Sequence, residues 1–399
     1  MELRRFRKED LRSLGPLMKL AFGKSTPDAD WYFNEQRNPR VELDQVHVVE
    51  EDGEVRAAAT VMPLEMSVDG RAVPAGGISA VATHPAYRRR GHAGGLMRAV
   101  LEDMRERGIH LSLLDPFNHA FYRTHGWELA MEHIEYTVSP SELRTSSEQR
   151  RVRAYREGDL SRMTALLEAE VAHHPCCLYR REDRWRQLLD GREGVDSGSG
   201  GLHAAVYEGD EGVGGYVLYK QSGREGRTPP RRLTISEFVA ETPEAWAGLL
   251  SFAAAHDPTE FEVRYQTPAG KPLHPYLESS YVKARIEPDM MLRLVDVEGA
   301  LGLLRREAGE PLVLEVTDET VPENTGSYTL GNGAGRRGAR ARERVALDVR
   351  QLAQLYAGYL PARQLAWRGL IEPGSERALE LLEAFFPVGD PWVFPLDRF

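Results

Sequence analysis

Residues 77–104 have the sequence GISAVATHPAYRRRGHAGGLMRAVLEDM, and this stretch decides how the surrounding chain folds. The segment 78–83 is short, apolar and β-branched at intervals, which predicts a buried strand. The segment 94–104 predicts a helix with one apolar face, because apolar residues recur in it at helical spacing: Leu96, Met97, Val100, Leu101 and Met104. Between the strand and the helix lies a basic turn that contains Gly91.

A strand that leads through a basic turn into a helix is suited to binding an anion. The free N–H groups and the positive dipole end of the helix point at the ligand. Gly91 and Ala93 have no long side chain to keep a phosphate away from the backbone. The alternative is a basic surface turn in front of an ordinary amphipathic helix. The predicted strand before the turn and the helix after it supply the context that an anion site requires, so we expect a phosphate site here.

The order Arg-x-x-Gly-x-Ala, directly after a strand that ends in Ala-Val-Ala-Thr, resembles the acetyl-CoA pyrophosphate loop of the GNAT acetyltransferase superfamily. In that family, backbone amides of the loop hold the pyrophosphate, and the strand pairs with the pantetheine arm. The resemblance implies that acetyl-CoA is the cofactor. The residues expected to bind it are Val81, Ala82, Thr83, Arg88, Arg89, Gly91, His92, Ala93, Gly94 and Asn118.

A second motif follows the next predicted strand, 109–114. The pattern Phe-Tyr-x-x-x-Gly-Trp at residues 121–127 resembles the GNAT segment in which a tyrosine lies near the CoA sulfur and protonates the departing thiolate. Tyr122 matches that tyrosine, and its hydroxyl is able to donate a proton at neutral pH. The alternative is a tyrosine that only packs in the core. His119 lies beside it and is either a base or a solvated polar residue.

Segment 26–38 mixes aromatic residues with carboxylates, a combination that suits an acceptor carrying an amine. In GNAT enzymes the helices of this region form one wall of the acceptor site. Asp28, Trp31 and Glu35 are therefore the expected substrate-binding residues. The alternative is that the aromatic side chains pack against the sheet.

Composition indicates a globular protein without a membrane span. Of the 399 residues, 41% are hydrophobic and 28% charged, and no uncharged apolar run reaches about 18 residues. The charged N-terminus lacks the apolar core of a signal peptide. The two cysteines, Cys176 and Cys177, are adjacent and have no metal-ligand spacing, so we expect no structural disulfide, no metal and a cytoplasmic location. The net charge of −10 disfavours nucleic acid and is compatible with a cationic substrate.

The chain contains two further units. Residues 151–160 repeat the strand and acidic helix start of residues 3–11, after a polar linker at 139–149. Glu241 and Glu244 occupy the place where the second unit would need phosphate donors, so we expect a fold without a cofactor site. We predict a catalytic GNAT domain at 1–145, a degenerate GNAT-like domain at 150–288 and a third α+β unit at 289–399.

The third unit begins with strands, ends with helices and resembles the sterol-carrier-protein-like domain that closes the Eis family of GNAT acetyltransferases. The expected fold class is therefore mixed α/β, with tandem GNAT domains followed by an α+β domain. The Eis resemblance implies a homohexamer that acetylates amines of a cationic small molecule, such as aminoglycosides at several positions, or lysine side chains. It also implies that the α-carboxylate of Phe399 is the general base and Tyr122 the general acid.

Chemistry supports a carboxylate in that role, since an amine attacks a thioester only when it is neutral. The alternative for Phe399 is a frayed terminus, although the last dozen residues are rich in Trp, Phe, Val and Pro and are expected to dock. Two other functions remain open: a GNAT enzyme for one dedicated acceptor, such as a polyamine or a protein N-terminus, and a lipid-binding protein that uses the third unit.

Overall fold

The computed structural model describes residues 1–23, 29–189, 201–223, 231–259, 261–277, 281–306, 309–331, 335–338 and 341–399. Its strands are β1 (Glu2–Arg5), β2 (Val46–Glu51), β3 (Glu54–Val68), β4 (Arg71–Thr83), β5 (Leu111–Leu114), β6 (Glu128–Leu129), β7 (Glu132–Val138), β8 (Val152–Ala154), β9 (His203–Gly209), β10 (Gly212–Ser222), β11 (Arg231–Ala240), β12 (Phe261–Pro268), β13 (Lys283–Pro288), β14 (Met291–Leu294), β15 (Leu312–Thr317), β16 (Gly326–Leu330), β17 (Arg336–Arg337), β18 (Glu343–Asp348) and β19 (Ile371–Pro373). Its α-helices are α1 (Leu11–Phe22), α2 (Ala29–Tyr32), α3 (His92–Glu106), α4 (His119–Arg123), α5 (Leu160–His173), α6 (Glu182–Leu189), α7 (Pro243–Ala254), α8 (Val297–Gly302), α9 (Val349–Tyr356), α10 (Ala362–Trp367) and α11 (Glu376–Phe385).

The first sheet has seven strands in the order β1-β2-β3-β4-β5-β14-β6. Its two hairpins turn at Asp52-Gly53 and Asp69-Gly70, and all four residues have positive φ. Such turns match the twist of the flanking strands, which explains the Asp-Gly pairs. The turn at Asp52-Gly53 joins β2 to β3, and the turn at Asp69-Gly70 joins the long strands β3 and β4.

Helices α1 and α3 pack on this sheet through separate apolar clusters. The buried face of α3 packs against Ala57, Ala59 and Val61 of β3. The buried face of α1 packs against Ala58 and Met62 of the same strand. Because successive side chains of a strand point to opposite faces, the two helices cover the two sides of the sheet.

The second sheet has the order β13-β7-β12-β11-β10-β9-β8. It repeats the plan of the first, since antiparallel strands lead to one parallel pair, β11 with β12, as β4 pairs with β5. Helix α7 connects the parallel strands of the second sheet, as α3 does in the first. Thr242 is the N-cap of α7, since its side chain accepts a hydrogen bond from the Ala245 N–H at 3.1 Å.

The third sheet has five strands in the order β17-β16-β15-β18-β19. Its described part includes helices α9, α10 and α11 after strand β15. The glycine- and arginine-rich stretch 326–344 is partly strand. Its described residues include β16, β17 and the first two residues of β18, and β16 pairs with β17 in the antiparallel sense.

Two compact units group the chain differently from the predicted domain boundaries. The first contains residues 1–131, 289–391 and Phe399, and the second contains residues 132–288 and 392–398. Strand β7 was predicted in the first domain but pairs with β12 and β13. Strand β14 was predicted in the third unit but lies between β5 and β6. Both strands are short. A pattern of apolar and polar residues predicts a strand, but it does not specify which other strand it pairs with.

No helix in the described ranges has the length and apolar character that crossing a bilayer requires.

Candidate functional site

The parallel pair β4 and β5 separates halfway along β4. The two strands pair from Gly76 opposite Ser112 to Ile78 opposite Leu114, and β4 then continues to Thr83 beside β3 alone. Past Ile78, the edge of β4 that faced β5 has no strand partner among the described residues. The N–H and C=O groups along this edge are therefore available to an extended ligand that contains amides.

A β-bulge at Ala80 accompanies the separation. Ala58 pairs with Ala82 while Thr60 pairs with Ser79, so a single β3 residue faces two residues of β4. Ala80 has φ of 53°, which is unusual for a residue with a side chain. Bulges bend a strand and redirect its side chains, and they are frequent beside active sites. The predicted binding residues Val81, Ala82 and Thr83 directly follow this bend.

The basic turn leads from β4 into α3 through two left-handed residues, Arg89 with φ of 61° and Gly91 with φ of 84°. Gly91 is the N-cap of α3, and a β-carbon placed there would meet no atom within 4 Å. The backbone around Gly91 is thus open to a ligand, while its conformation disfavours any other residue. A helix of fifteen residues begins here, so its free N–H groups face this opening.

The three arginines of the turn differ in their surroundings. The Arg90 guanidinium lies 4.6 Å from the centroid of the Tyr87 ring, and its Nη1 lies 3.4 Å from Glu51 Oε1. Arg88 and Arg89 are exposed. These two residues therefore supply positive charge that is accessible to an anion. His92 is buried instead, with Nε2 3.1 Å from Glu51 Oε2, and its side chain supports the turn.

Tyr122 lies on the short helix α4 that follows β5. Asn118 caps this helix, because its side-chain oxygen accepts a hydrogen bond from the Phe121 N–H at 3.0 Å. The Tyr122 ring is buried. Its centroid lies 5.1 Å from the centroid of the Phe121 ring and 5.3 Å from that of the Phe117 ring. Burial raises the pKa of Tyr122, and the nearby Asp115 carboxylate raises it further. The hydroxyl therefore stays protonated at neutral pH and is able to donate.

His125 is a residue of this region that the sequence interpretation missed. A β-carbon at Gly94 would lie 3.6 Å from His125 Cε1, so the imidazole packs against the first turn of α3. Burial lowers the pKa of His125 to about 4, and Arg98 and Arg293 contribute. The ring is therefore neutral near pH 7. The His-Gly-Trp sequence inside the tyrosine motif was the available signal.

The last residue, Phe399, belongs to the first unit and packs on β4. A β-carbon at Gly77 would lie 2.6 Å from Phe399 Cζ and 2.7 Å from Leu64 Cδ1. Only a glycine leaves room for the ring at this position. Gly77 is one residue before the point where β4 and β5 separate. The terminus is therefore docked, as its composition predicted.

The preceding tail, residues 392–398, is anchored within the second unit. Arg180 is fully buried and donates to Asp397 at 2.7 and 2.8 Å. The same guanidinium pairs with Glu237. Arg184 donates to the Leu396 carbonyl at 2.7 Å. Buried charges are costly unless they are paired, so this network holds the tail in one conformation.

The three residues expected to form the acceptor wall differ in their surroundings. Asp28 lies outside the described residues. Trp31 is half-buried in α2, whereas Glu35 is exposed and accepts a hydrogen bond from the Leu43 N–H at 2.9 Å. That bond gives Glu35 a role in holding the following turn. Tyr32 was not proposed as a binding residue, yet its hydroxyl donates to Ser79 Oγ at 2.9 Å, beside the bulge.

The second sheet lacks the basic turn at the corresponding position. There β11 leads into α7 through Glu241, whose carboxylate is paired with Arg162 at 2.5 Å. Glu244 lies in the first turn of α7. Negative side chains at a helix N-terminus compete with a bound phosphate. Among the described residues, moreover, no group of His, Cys, Asp and Glu is arranged to hold a metal ion.

Comparison with known proteins agrees with this architecture. Acetyltransferase (GNAT) domain families match residues 2–130 and 176–294, and a sterol carrier protein domain family matches residues 297–394. An uncharacterized N-acetyltransferase of Streptomyces avermitilis is 28% identical over 336 residues, which cover 81% of this chain and 82% of that protein. N-acetyltransferase Eis of Mycobacterium tuberculosis is 28% identical over 355 residues, which cover 84% of this chain and 83% of Eis.

A GCN5-related N-acetyltransferase from Anabaena variabilis has the same fold over the whole length of both chains, with a TM-score of 0.85 and 23% identity. The tandem GNAT folds, the third domain and the acetyltransferase relatives agree with one another, and GNAT domains use acetyl-CoA as acetyl donor. The chain is an N-acetyltransferase with two GNAT domains and a sterol carrier protein domain, and it is similar to N-acetyltransferase Eis.

Proposed function

We propose that this enzyme transfers an acetyl group to amines of a cationic acceptor, of the aminoglycoside or lysine side-chain type, at a single site in its first GNAT domain. The observation that carries the proposal is the separation of β4 from β5 directly before the open turn at Gly91. Acetyl-CoA, when bound, supplies the thioester whose acetyl group the amine receives.

The residues around the separated strands fit that donor. The unpaired edge of β4 at 79–83 suits the amides of a pantetheine arm. The N-terminus of α3 and the exposed Arg88 and Arg89 suit a pyrophosphate. Asn118 lies at the N-terminus of α4 and Gly94 in the first turn of α3, so both positions are compatible with cofactor contacts.

Two groups of this chain suit the proton transfers. The Phe399 carboxylate is the proposed general base, because an ammonium acceptor must lose a proton before it becomes a nucleophile. The docking of the Phe399 ring against Gly77 supports this role. Tyr122 is the proposed general acid, because its buried hydroxyl carries at neutral pH the proton that a departing thiolate needs. Residues 392–398, which precede Phe399 in the chain, are the proposed buried anchor of the tail.

The preference for a cationic acceptor rests on charge. The net charge of −10 attracts polycations at long range, and the exposed Asp115 precedes α4. Trp31, together with Asp28, remains the proposed acceptor wall. Glu35 is a weaker member of it, because its carboxylate already holds the Leu43 N–H. The homohexamer and the cytoplasmic location that the Eis resemblance and the composition predict remain expectations.

The acceptor class is tested by a panel. Thiol release from acetyl-CoA should be fastest with aminoglycosides or lysine peptides, and mass spectrometry counts the acetyl groups added. The Tyr122→Phe variant should retain acetyl-CoA binding and lose roughly two to four orders of magnitude in kcat, the usual size of an acid–base contribution. Turnover of one polyamine or protein N-terminus alone would favour the dedicated-acceptor function. Stabilisation by fatty acids or sterols without acetyl-CoA turnover would favour the lipid carrier.

The cofactor site is tested by calorimetric titration with acetyl-CoA. The wild-type protein should bind one molecule per chain. Gly91→Val should bind none, because a β-branched residue does not tolerate φ of 84° and its side chain would enter the open turn. A second site in the wild-type protein would show that the second domain binds the cofactor. Normal acetyl-CoA affinity in Gly91→Val would contradict the assignment of the site to the turn at Gly91.

The Gly77→Ala substitution, which adds a single methyl group, tests the docking of Phe399. Gly77→Ala adds a β-carbon that would lie 2.6 Å from the Phe399 ring and 2.7 Å from Leu64 Cδ1, so both side chains must move. We expect kcat to fall by roughly 100-fold, the effect of misplacing a catalytic group by about 1 Å, with acetyl-CoA affinity retained. Gly302→Ala is the matched control, because its β-carbon meets nothing within 4 Å. Equal kcat for the two variants would mean that the ring position does not matter.

A further inference from the structure

The second unit contains a cavity of about 540 Å³. It lies where β11 separates from β12, since the two strands pair only from Arg231 to Ile235. Residues 236–240 of β11 and 265–268 of β12 line it on two sides. In topology this is the counterpart of the opening between β4 and β5. Its volume is within the range of pockets that hold small molecules.

Aromatic and proline residues form most of its walls. Trp246 and Tyr276 contact each other with ring centroids 5.1 Å apart, and Phe238 lies 5.7 Å from Tyr265. The tail of the second unit forms another wall of the cavity with Trp392, Phe394 and Pro395. Flat apolar walls of this kind favour an aromatic or cyclic ligand body.

The charged groups of the lining are already neutralised by partners in the same unit. Burial by itself would raise the pKa of Glu170, but hydrogen bonds from His174 and Lys271 outweigh it and lower the pKa to about 2. Glu237 is paired with the buried Arg180. Glu241 and Glu244 at the start of α7 oppose a phosphate. The lining therefore offers no uncompensated charge for an ionic ligand.

Polar groups without partners remain among the neutral residues. The Tyr265 hydroxyl makes no hydrogen bond with any described residue, and burial together with Glu170 raises its pKa, so it stays a donor. Thr267 Oγ1 and Trp392 Nε1 are buried and also without a partner in the described part of the chain. Two buried, unpaired groups in one lining are uncommon, because buried polar groups are normally satisfied. The Tyr265 hydroxyl is the group with which a carbonyl acceptor of a ligand would pair.

We propose that this cavity is a second binding site, specific for an uncharged aromatic small molecule that carries an amide. The aromatic body packs between Trp246, Phe238 and Trp392, the amide oxygen accepts from the Tyr265 hydroxyl, and the separated edges of β11 and β12 offer backbone groups to the rest of the amide. The site is distinct from the acetyl-CoA site in position and in charge, and its occupation does not require acetyl transfer.

The test uses N-(4-fluorophenyl)acetamide as probe and fluorine NMR as readout, with the full-length protein and saturating CoA to keep the first domain filled. We expect saturable binding of one probe per chain. Tyr265→Phe should raise the Kd by about fivefold, the value of one neutral hydrogen bond. Tyr219→Phe is the matched control, since Tyr219 lies on β10 of the same sheet and does not line the cavity. Its Kd should equal that of the wild-type protein.

Two charged analogues complete the test, 4-fluorobenzoate and 4-fluorobenzylammonium, and both should bind at least fivefold more weakly than the amide. Thr267→Val removes a buried hydroxyl that has no partner, so its melting temperature should not fall below that of the wild-type protein. The proposal is overturned by the absence of saturable amide binding, by an unchanged Kd in Tyr265→Phe, or by a charged analogue that binds as tightly as the amide.

Discussion

The separation of two parallel strands is the constraint on which the architecture of both GNAT domains depends. A parallel pair is normally covered and continuous, so strands that diverge leave backbone groups that something else must satisfy. In the first domain the divergence follows Ile78 and coincides with the bulge at Ala80. In the second it follows Ile235. The same opening thus occurs twice, and the helix starts beside the two openings differ in charge: a basic glycine turn in one case, Glu241 and Glu244 in the other.

The end of the chain makes buried contacts at two places, one in each unit. Within the second unit, the tail is held by a buried guanidinium, Arg180, that pairs with Asp397 and Glu237. Within the first unit, the Phe399 ring packs on the one strand position, Gly77, that has no side chain. The proposed role of Phe399 as general base therefore rests on one observation in each unit, the packing of its ring on Gly77 and the buried pairing of the residues that precede it.

Local signals in the sequence predicted the elements well. The Asp52-Gly53 pair predicted a hairpin because its residues require positive φ, and Gly91 before an apolar helix face predicted the open turn. Pairing between distant segments was not predictable, as the positions of β7 and β14 show, because a short strand pattern fits the edge of either sheet. The role of Glu35 and the neutral state of His125 depend on contacts and burial that no spacing encodes. The tail anchor was missed for the same reason, since Arg180 and Asp397 are 217 positions apart.

The central claim, that the terminal carboxylate of Phe399 is the general base, is tested most directly by a semisynthetic chain that ends in a carboxamide. This change removes one negative charge and keeps every side chain. The account predicts that kcat falls by roughly two to four orders of magnitude while acetyl-CoA affinity and melting temperature stay at their wild-type values. An identical semisynthetic chain with a free carboxylate is the control. If the amidated enzyme acetylates its best amine at the control rate, the terminus has no catalytic role, and His119 or another side chain must be the base.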